Sequence, residues 1–218
     1  MTASDVINKV RRALGRAAPL TEVPPPPTID EPITRLVHSD IGLDKLFVKR
    51  AADQNMLAMI VAPELAVMQV IEFLRAHKCE KIALVDCDLF KALGLAEGLR
   101  EAGFEFRYWH EIALDELYDG FDCAVTDVTC AVAESASLVI RPTAKHGRAM
   151  SLVPMHHVAI VQANQILPDL VDLFEKLTLE GAGKNIIMIS GPSKTADIEM
   201  NVVTGVHGPN VVQAFILQ

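Results

Sequence analysis

This sequence predicts an α/β fold: a mainly parallel sheet flanked by helices and interrupted by an antiparallel excursion. Three observations point there. From about residue 33 onward, short apolar runs alternate with amphipathic stretches at helical spacing. In the middle of the chain that alternation gives way to strand-like pieces with no helix between them. The 218 residues are 50% hydrophobic and 22% charged, a balance typical of a globular chain able to bury its own core without disulfides or metal.

The first element is an amphipathic helix. Val6, Ile7, Val10, Ala13 and Leu14 recur at helical spacing among Lys9, Arg11, Arg12 and Arg16, with Ser4 as N-cap and Gly15 as end signal. Pro24 to Pro27 then require an extended spacer. So short a helix is marginal alone in water, so it needs a docking surface, either on its own globular body or on another subunit. The organisation expected is therefore an N-terminal helix and proline-rich spacer over residues 1–32, then one domain over 33–218.

Met56 to Ala62 reads as a buried parallel strand, with Pro63 at the first position of a following helix that runs through Leu65, Met68, Ile71, Phe73 and Leu74. Lys81 to Asp86 is the next strand, followed by a helix from Asp88 to Ala102 that Gly103 ends. Phe104 to Trp109 and Phe121 to Thr126 are two further strands, which makes a βαβαβ run whose parallel sheet is covered by helices on both faces. Ala131 to Ile140 and Met150 to Val161 hold the antiparallel excursion. A helix resumes over Pro168 to Leu179 with Asp169 and Asp172 in its first turn. Asn185 to Ser190 is a buried strand, and Val211 to Leu217 is the last.

Composition excludes several functions. Twenty Lys and Arg face twenty-eight Asp and Glu, a formal charge of −8, and aromatics are 5%. A nucleic-acid groove draws its affinity from phosphate neutralisation and base stacking, so no nucleic-acid partner is expected. The longest apolar run is far below the roughly 18 residues a membrane span needs, and the charged N-terminus is unlike a secretory signal. A cytoplasmic location follows as the expectation. Cys79, Cys87, Cys123 and Cys130 form no C-x-x-C pair, so they read as small core hydrophobes rather than metal or iron–sulfur ligands. No G-x-G-x-x-G, H-E-x-x-H or G-x-S-x-G is present. Gly183-Lys184 imitates a P-loop, but Thr178 stands where its first Gly belongs and Asn185 where its Ser or Thr belongs.

Two segments carry polar density without periodicity. In Asp127 to Ser137, Glu134 and Ser135 interrupt an apolar stretch. A carboxylate among buried strands suits acid–base or nucleophilic work, and the plainer reading is a rim carboxylate capping backbone amides. The second segment runs from Ser190 to Glu199 and on through Gly205 to Pro209. A strand entering Gly191-Pro192 and then a helical turn presents free N–H groups beside Ser193, Lys194 and Thr195, which is what an anion wants at the carboxyl end of a parallel strand. His207, beside Gly208, brings an imidazole to a place where a backbone can approach a ligand closely. The plainer reading here is a strand-to-helix turn with ordinary caps.

Gly191-Pro-Ser-Lys-Thr-Ala-Asp-Ile-Glu199 followed by Gly205-Val-His-Gly-Pro209 resembles the C-terminal signature of the LUD-domain family, in particular its lactate-utilisation protein C branch. Ala133-Glu-Ser-Ala-Ser-Leu-Val139 is similar to that family's A-E-T-G-T-L-V stretch, Ser151-Leu-Val-Pro-Met-His-His157 to its S-L-L-P-x-x-H, and Ala13-Leu-Gly-Arg16 to the end of its first helix. One departure is clear: Ala136 replaces the family's Gly, with Ser135 and Ser137 in place of threonines. The resemblance implies a fold like the ribose-5-phosphate isomerase, glucosamine-6-phosphate deaminase and CoA-transferase group. It also implies a place beside two iron–sulfur proteins in oxidising L-lactate to pyruvate, the clusters residing on those partners and no cofactor on this chain.

Three readings follow. The first is a non-redox component of that system, contributing substrate binding or assembly. The second is an independent enzyme using Glu134, with His207, on a sugar phosphate or acyl-CoA. The third is a regulatory module that binds an organic anion such as lactate or pyruvate. A second copy of the chain is a further candidate partner.

Overall fold

The computed structural model describes residues 3–16, 35, 37, 42–181, 185–195, 203–205 and 207–218, and it divides into two units, Met1–Thr34 and Arg35–Gln218. In the first unit, α1 spans Ala3–Ala13 with Asp5 in its first turn and Arg11 and Arg12 in its last, each favourable to the helix dipole. The helix begins two residues earlier than the sequence suggests, so Ser4 lies within its first turn and is not the N-cap. Gly15 does end it, at φ 68°. The Gly15 N–H donates to the Arg12 carbonyl and the Arg16 N–H to that of Arg11, which closes the helix in the left-handed C-terminal style. Pro24 to Pro27 lie outside the described residues.

In the second unit, α2 (Leu43–Asp53) precedes β1 (Leu57–Val61), and a 3₁₀ turn, Pro63–Leu65, leads into α3 (Ala66–Ala76). β2 (Lys81–Leu84), α4 (Asp88–Leu93), α5 (Leu95–Glu101), β3 (Glu105–Tyr108), α6 (Leu114–Gly120) and β4 (Cys123–Asp127) follow. The excursion holds β5 (Cys130–Val132), β6 (Ser137–Ile140), β7 (His156–Gln162) and β8 (Ile166–Leu167). After α7 (Leu170–Glu180) come β9 (Ile187–Ile189), β10 (Lys194–Thr195), β11 (Val203–Thr204) and β12 (Val211–Leu217).

The main sheet has the order β1-β12-β7-β4-β2-β3, and all of its pairings are parallel. The last strand of the chain is thus inserted beside the first. A second sheet, β8-β5-β6-β9, is mixed: β5–β6 and β6–β9 are antiparallel and β5–β8 parallel. The expected mainly parallel architecture with an antiparallel excursion is what the chain adopts.

Period-two alternation explains the layers. Val158, Ile160, Phe215 and Leu217 point to one face of the main sheet, where Val70 and Leu74 of α3, Phe90 of α4, Leu99 of α5 and Leu117 of α6 pack on them. Ala159, Val161, Ala214 and Ile216 point to the other, against Phe47 of α2, Leu138 and Ile140 of β6, and Ile187 and Ile189 of β9. The sequence expectation of helices on both faces is therefore corrected: the second face is covered chiefly by the second sheet. That sheet buries its own outer face, Cys130, Val132 and Val139, under Leu173 and Leu177 of α7.

Three local expectations change for physical reasons. β1 is an edge strand, with Leu57 48% and Met59 41% exposed, because an apolar run does not reveal how many neighbours a strand acquires. The helix expected over 88–102 is split by Gly94, whose φ of 67° breaks the right-handed path between α4 and α5. In β9, Ile187 and Ile189 are buried but Met188 is 41% exposed, so that strand is covered on one face. Asp169 is the N-cap of α7, its carboxylate accepting from the Val171 and Asp172 amides.

The four cysteines are free thiols, and Cys123 and Cys130 are buried as core residues. Cys79 is buried too, yet hydrogen bonds from Cys123 and then His156 pull its thiol well below the usual range against the effect of burial.

A close contact fixes the approach to β7. A Cβ at Gly147 would lie 2.0 Å from Trp109 Cζ2 and 2.1 Å from its Cε2. An indole ring moves only as a rigid plate, so Gly147→Ala is expected to destabilise by about 1–3 kcal/mol. Urea unfolding of the two proteins measures it, and an unchanged midpoint would contradict the contact.

Candidate functional site

The described residues of the Ser190 to Pro209 segment are tied together by backbone hydrogen bonds. The Ser193 N–H donates to the Pro209 carbonyl at 3.0 Å and the Gly205 N–H to the Ser193 carbonyl at 2.8 Å, while Asn210 N–H donates to Met155 at 2.8 Å. Lys194 and Thr195 pair antiparallel with Thr204 and Val203. This corrects the expected helical turn at Ser193 to Thr195: cross-strand pairing sets the backbone there, so these described residues form no helix N-terminus. The segment also leaves β9, which runs antiparallel to β6 in the second sheet, rather than a parallel strand. Asp197 and Glu199 lie outside the described residues.

Gly191 is placed by contact. Its φ is +101°, and a Cβ there would lie 2.5 Å from the Gln54 carbonyl oxygen, so any side chain meets strain and a clash together. Gly191, Ser193, His207 and Gly208 line one cavity of about 470 Å³, with Ser151 and Met188 among its other walls. Lys194 and Thr195 are not in its wall. The Lys194 ammonium instead donates to Gln54 Oε1 at 3.5 Å.

The two polar segments singled out in the sequence are joined. Ser135 Oγ and Ser137 Oγ are 2.7 Å apart, and Ser137 Oγ and Ser190 Oγ 2.6 Å. The register that pairs Leu138 with Ile189 brings these hydroxyls together, so a serine chain runs from the Glu134 turn to the mouth of the Gly191 loop. Ser137 was not a candidate site residue in the sequence, because only strand register brings its hydroxyl to Ser190. Glu134 itself is half-buried. Its backbone N–H donates to the Pro168 carbonyl at 3.0 Å, and it is not in the cavity wall. Ala136 has φ 48° and is fully buried. A left-handed residue in a tight turn is a conformation that glycine adopts at less cost than alanine.

A buried histidine lies on β7, paired with a hydroxyl of β4. His157 Nε2 and Thr126 Oγ1 are 2.9 Å apart, while His157 Nδ1 is buried with no hydrogen-bond partner among the described residues. Burial, and then the nearby His146, push His157 down to about 3, so it is neutral at physiological pH.

The LUD domain family matches residues 45–217 of this chain. The chain belongs to the LUD-domain family. Among its relatives, the lactate utilization protein C of an Exiguobacterium species is 39% identical over 93 residues, which is 40% of each chain. That of Bacillus licheniformis is 33% identical over 142 residues, 60% of this chain and 59% of the relative. The alignments thus span less than two thirds of either relative's length. The crystal structure of a DUF162 family protein from Deinococcus radiodurans superposes with TM-score 0.58 at 19% identity, covering 81% of this chain and 96% of that one, and supports the α/β fold. This LUD-domain chain is thus similar to the lactate utilization protein C branch, as its C-terminal signature implies. No helix among its described residues is long and apolar enough to cross a membrane.

Proposed function

We propose that this LUD-domain chain serves lactate utilisation as a non-redox component that binds a small organic anion, lactate or pyruvate, in the Gly191–Pro209 cavity. The observation that carries the reading is the convergence of Ser193, His207 and the glycine backbones Gly191 and Gly208 on one cavity, within the segment whose residues resemble the family signature. Hydroxyls and an imidazole recognise a monocarboxylate without the strong positive field a polyphosphate needs. Lys194 adds a solvent-screened attraction from outside the wall. Electrons travel on iron–sulfur partner proteins, since four scattered cysteines on this chain match no cluster spacing. The exposed Val6, Ile7, Val10 and Leu14 of α1 offer those partners, or a second copy, an apolar helix face.

Calorimetric titration with lactate and pyruvate tests the site. His207→Ala is expected to weaken binding by about tenfold or more, the effect of one charge-assisted hydrogen bond, and Lys194→Ala by less. If neither acid binds the wild type, the anion reading falls. Lactate oxidation by the reconstituted iron–sulfur system with and without the chain tests the wider role, and equal rates would refute it.

A further inference from the structure

We propose that a second cavity, outside the carboxyl ends of β2 and β4, is a binding site for a polyhydroxylated ligand with at most one negative charge, a sugar alcohol or a sugar acid. This inference does not rest on the anion reading of the Gly191 loop. The cavity has a volume of about 570 Å³, and Asp86, Asp127, Thr129, Arg141, Lys145 and His146 are among its walls. It lies where open α/β sheets hold ligands, beyond the carboxyl ends of parallel strands.

Three of the charged wall residues stand at or just beyond the end of an apolar strand. Asp86 comes two residues after β2, Asp127 ends β4, and Arg141 follows β6. Lys145 sits in the turn that Thr143 and His146 close, the Thr143 N–H donating at 2.9 Å and the His146 N–H at 3.2 Å to each other's carbonyls.

The charges come in pairs. Asp86 bridges Lys91 at 2.7 Å and Lys145 at 3.1 Å, and Asp127 lies 3.2 Å from His146 Nδ1. The Arg141 guanidinium reaches Glu180 at 3.3 Å and the Gly181 carbonyl. Lys91 and then Lys145 hold the Asp86 carboxyl below its usual range, so it is an ionised acceptor at neutral pH.

Within the wall, the two carboxylates balance Arg141 and Lys145. A multiply charged phosphate would face Asp86 and Asp127 at close range, and an apolar ligand would cover four charged groups while offering none of them a hydrogen bond. A hydroxyl does neither. It donates to a carboxylate and accepts from an ammonium or guanidinium at the same time, so a chain of hydroxyls fits between these pairs without breaking them. Size points the same way: cavities of several hundred Å³ hold ligands well above lactate in size. His146, only 7% exposed, acts as a positioning residue that holds Asp127.

Calorimetry of the full chain with D-gluconate and ribitol tests the site, with lactate and inorganic phosphate as comparisons. Asp127→Asn is isosteric, and Lys145→Ala trims a side chain that is 62% exposed, so both variants keep the fold, which thermal melting checks. Gluconate or ribitol is expected to bind, and each substitution to weaken that binding about tenfold or more. His207→Ala is expected to leave it unchanged while lowering lactate affinity, which separates the two cavities. The proposal is overturned if neither polyol binds, if binding ignores both substitutions, or if inorganic phosphate displaces gluconate.

Discussion

Lowering the pH from 7 to 4.5 is expected to remove about 2.5 kcal/mol of stability through His157 alone. The sign follows from where the proton goes. In the folded chain burial pushes His157 down to about 3, whereas in the unfolded chain it titrates near 6.5. Between those values the unfolded state binds a proton that the folded state refuses. Stability is therefore full above about pH 6.5, and it falls by up to about 1.4 kcal/mol for each pH unit towards about 3. His156 works in the opposite direction, since hydrogen bonding to Cys79 raises it. The clean measurement is consequently a difference: urea unfolding at pH 7 and 4.5 for the wild type and for His157→Gln. The variant loses the Thr126 contact and is less stable at pH 7, but its stability should fall less with acid, by about 2.5 kcal/mol, while His156 contributes equally to both proteins. Equal losses in the two proteins would show that His157 does not control acid stability.

Gly191→Ala is expected to cost about 2–4 kcal/mol and to loosen the whole Ser190 to Pro209 segment. Two penalties act together. A φ of +101° lies outside the range an alanine adopts easily, and the new Cβ would sit 2.5 Å from the Gln54 carbonyl oxygen. Backbone strain of this kind costs about 1–3 kcal/mol, and overpacking against a fixed group costs about 1–3 kcal/mol more. A surface loop relieves part of this by moving, which sets the upper end of the range. Movement would break the Ser193 to Pro209 hydrogen bond, so the variant should also be cut faster by protease between residues 191 and 209. Gly181→Ala is the control, since its φ is also positive, at +75°, but nothing among the described residues lies within 4 Å of the added Cβ. If the two variants lose stability equally, the Gln54 contact is not what holds the loop.

The candidate sites were legible to different degrees. The Gly191 loop stood out because glycine, proline and hydroxyl residues cluster there with no helical or strand period. Its union with the Glu134 turn did not, since Ser137 and Ser190 are 53 positions apart and meet only through the β6–β9 register. The second cavity was hidden for a similar reason. Asp86, Asp127 and Arg141 each look like an ordinary charge closing a strand. The available signal was the pattern itself: Val85-Asp86, Thr126-Asp127 and Ile140-Arg141 each place a charge at a strand's carboxyl end, where α/β sheets gather ligands.

By itself the sequence determined the kinds of element and most of their limits. Apolar periodicity, Pro63 and Asp169 at helix starts, and Gly15 and Gly103 at helix ends act through neighbours within a few residues, and those neighbours are written in the chain. Only the tertiary structure decided which strands pair. β12 entered between β1 and β7, β9 left the main sheet for β6, and Lys194-Thr195 became a strand where local chemistry suggested a helical turn. Pairing is settled by faces that must be buried against one another and by how loops close between distant segments. Several registers satisfy the same local pattern of apolar residues, and only one of them also buries both faces of two stacked sheets.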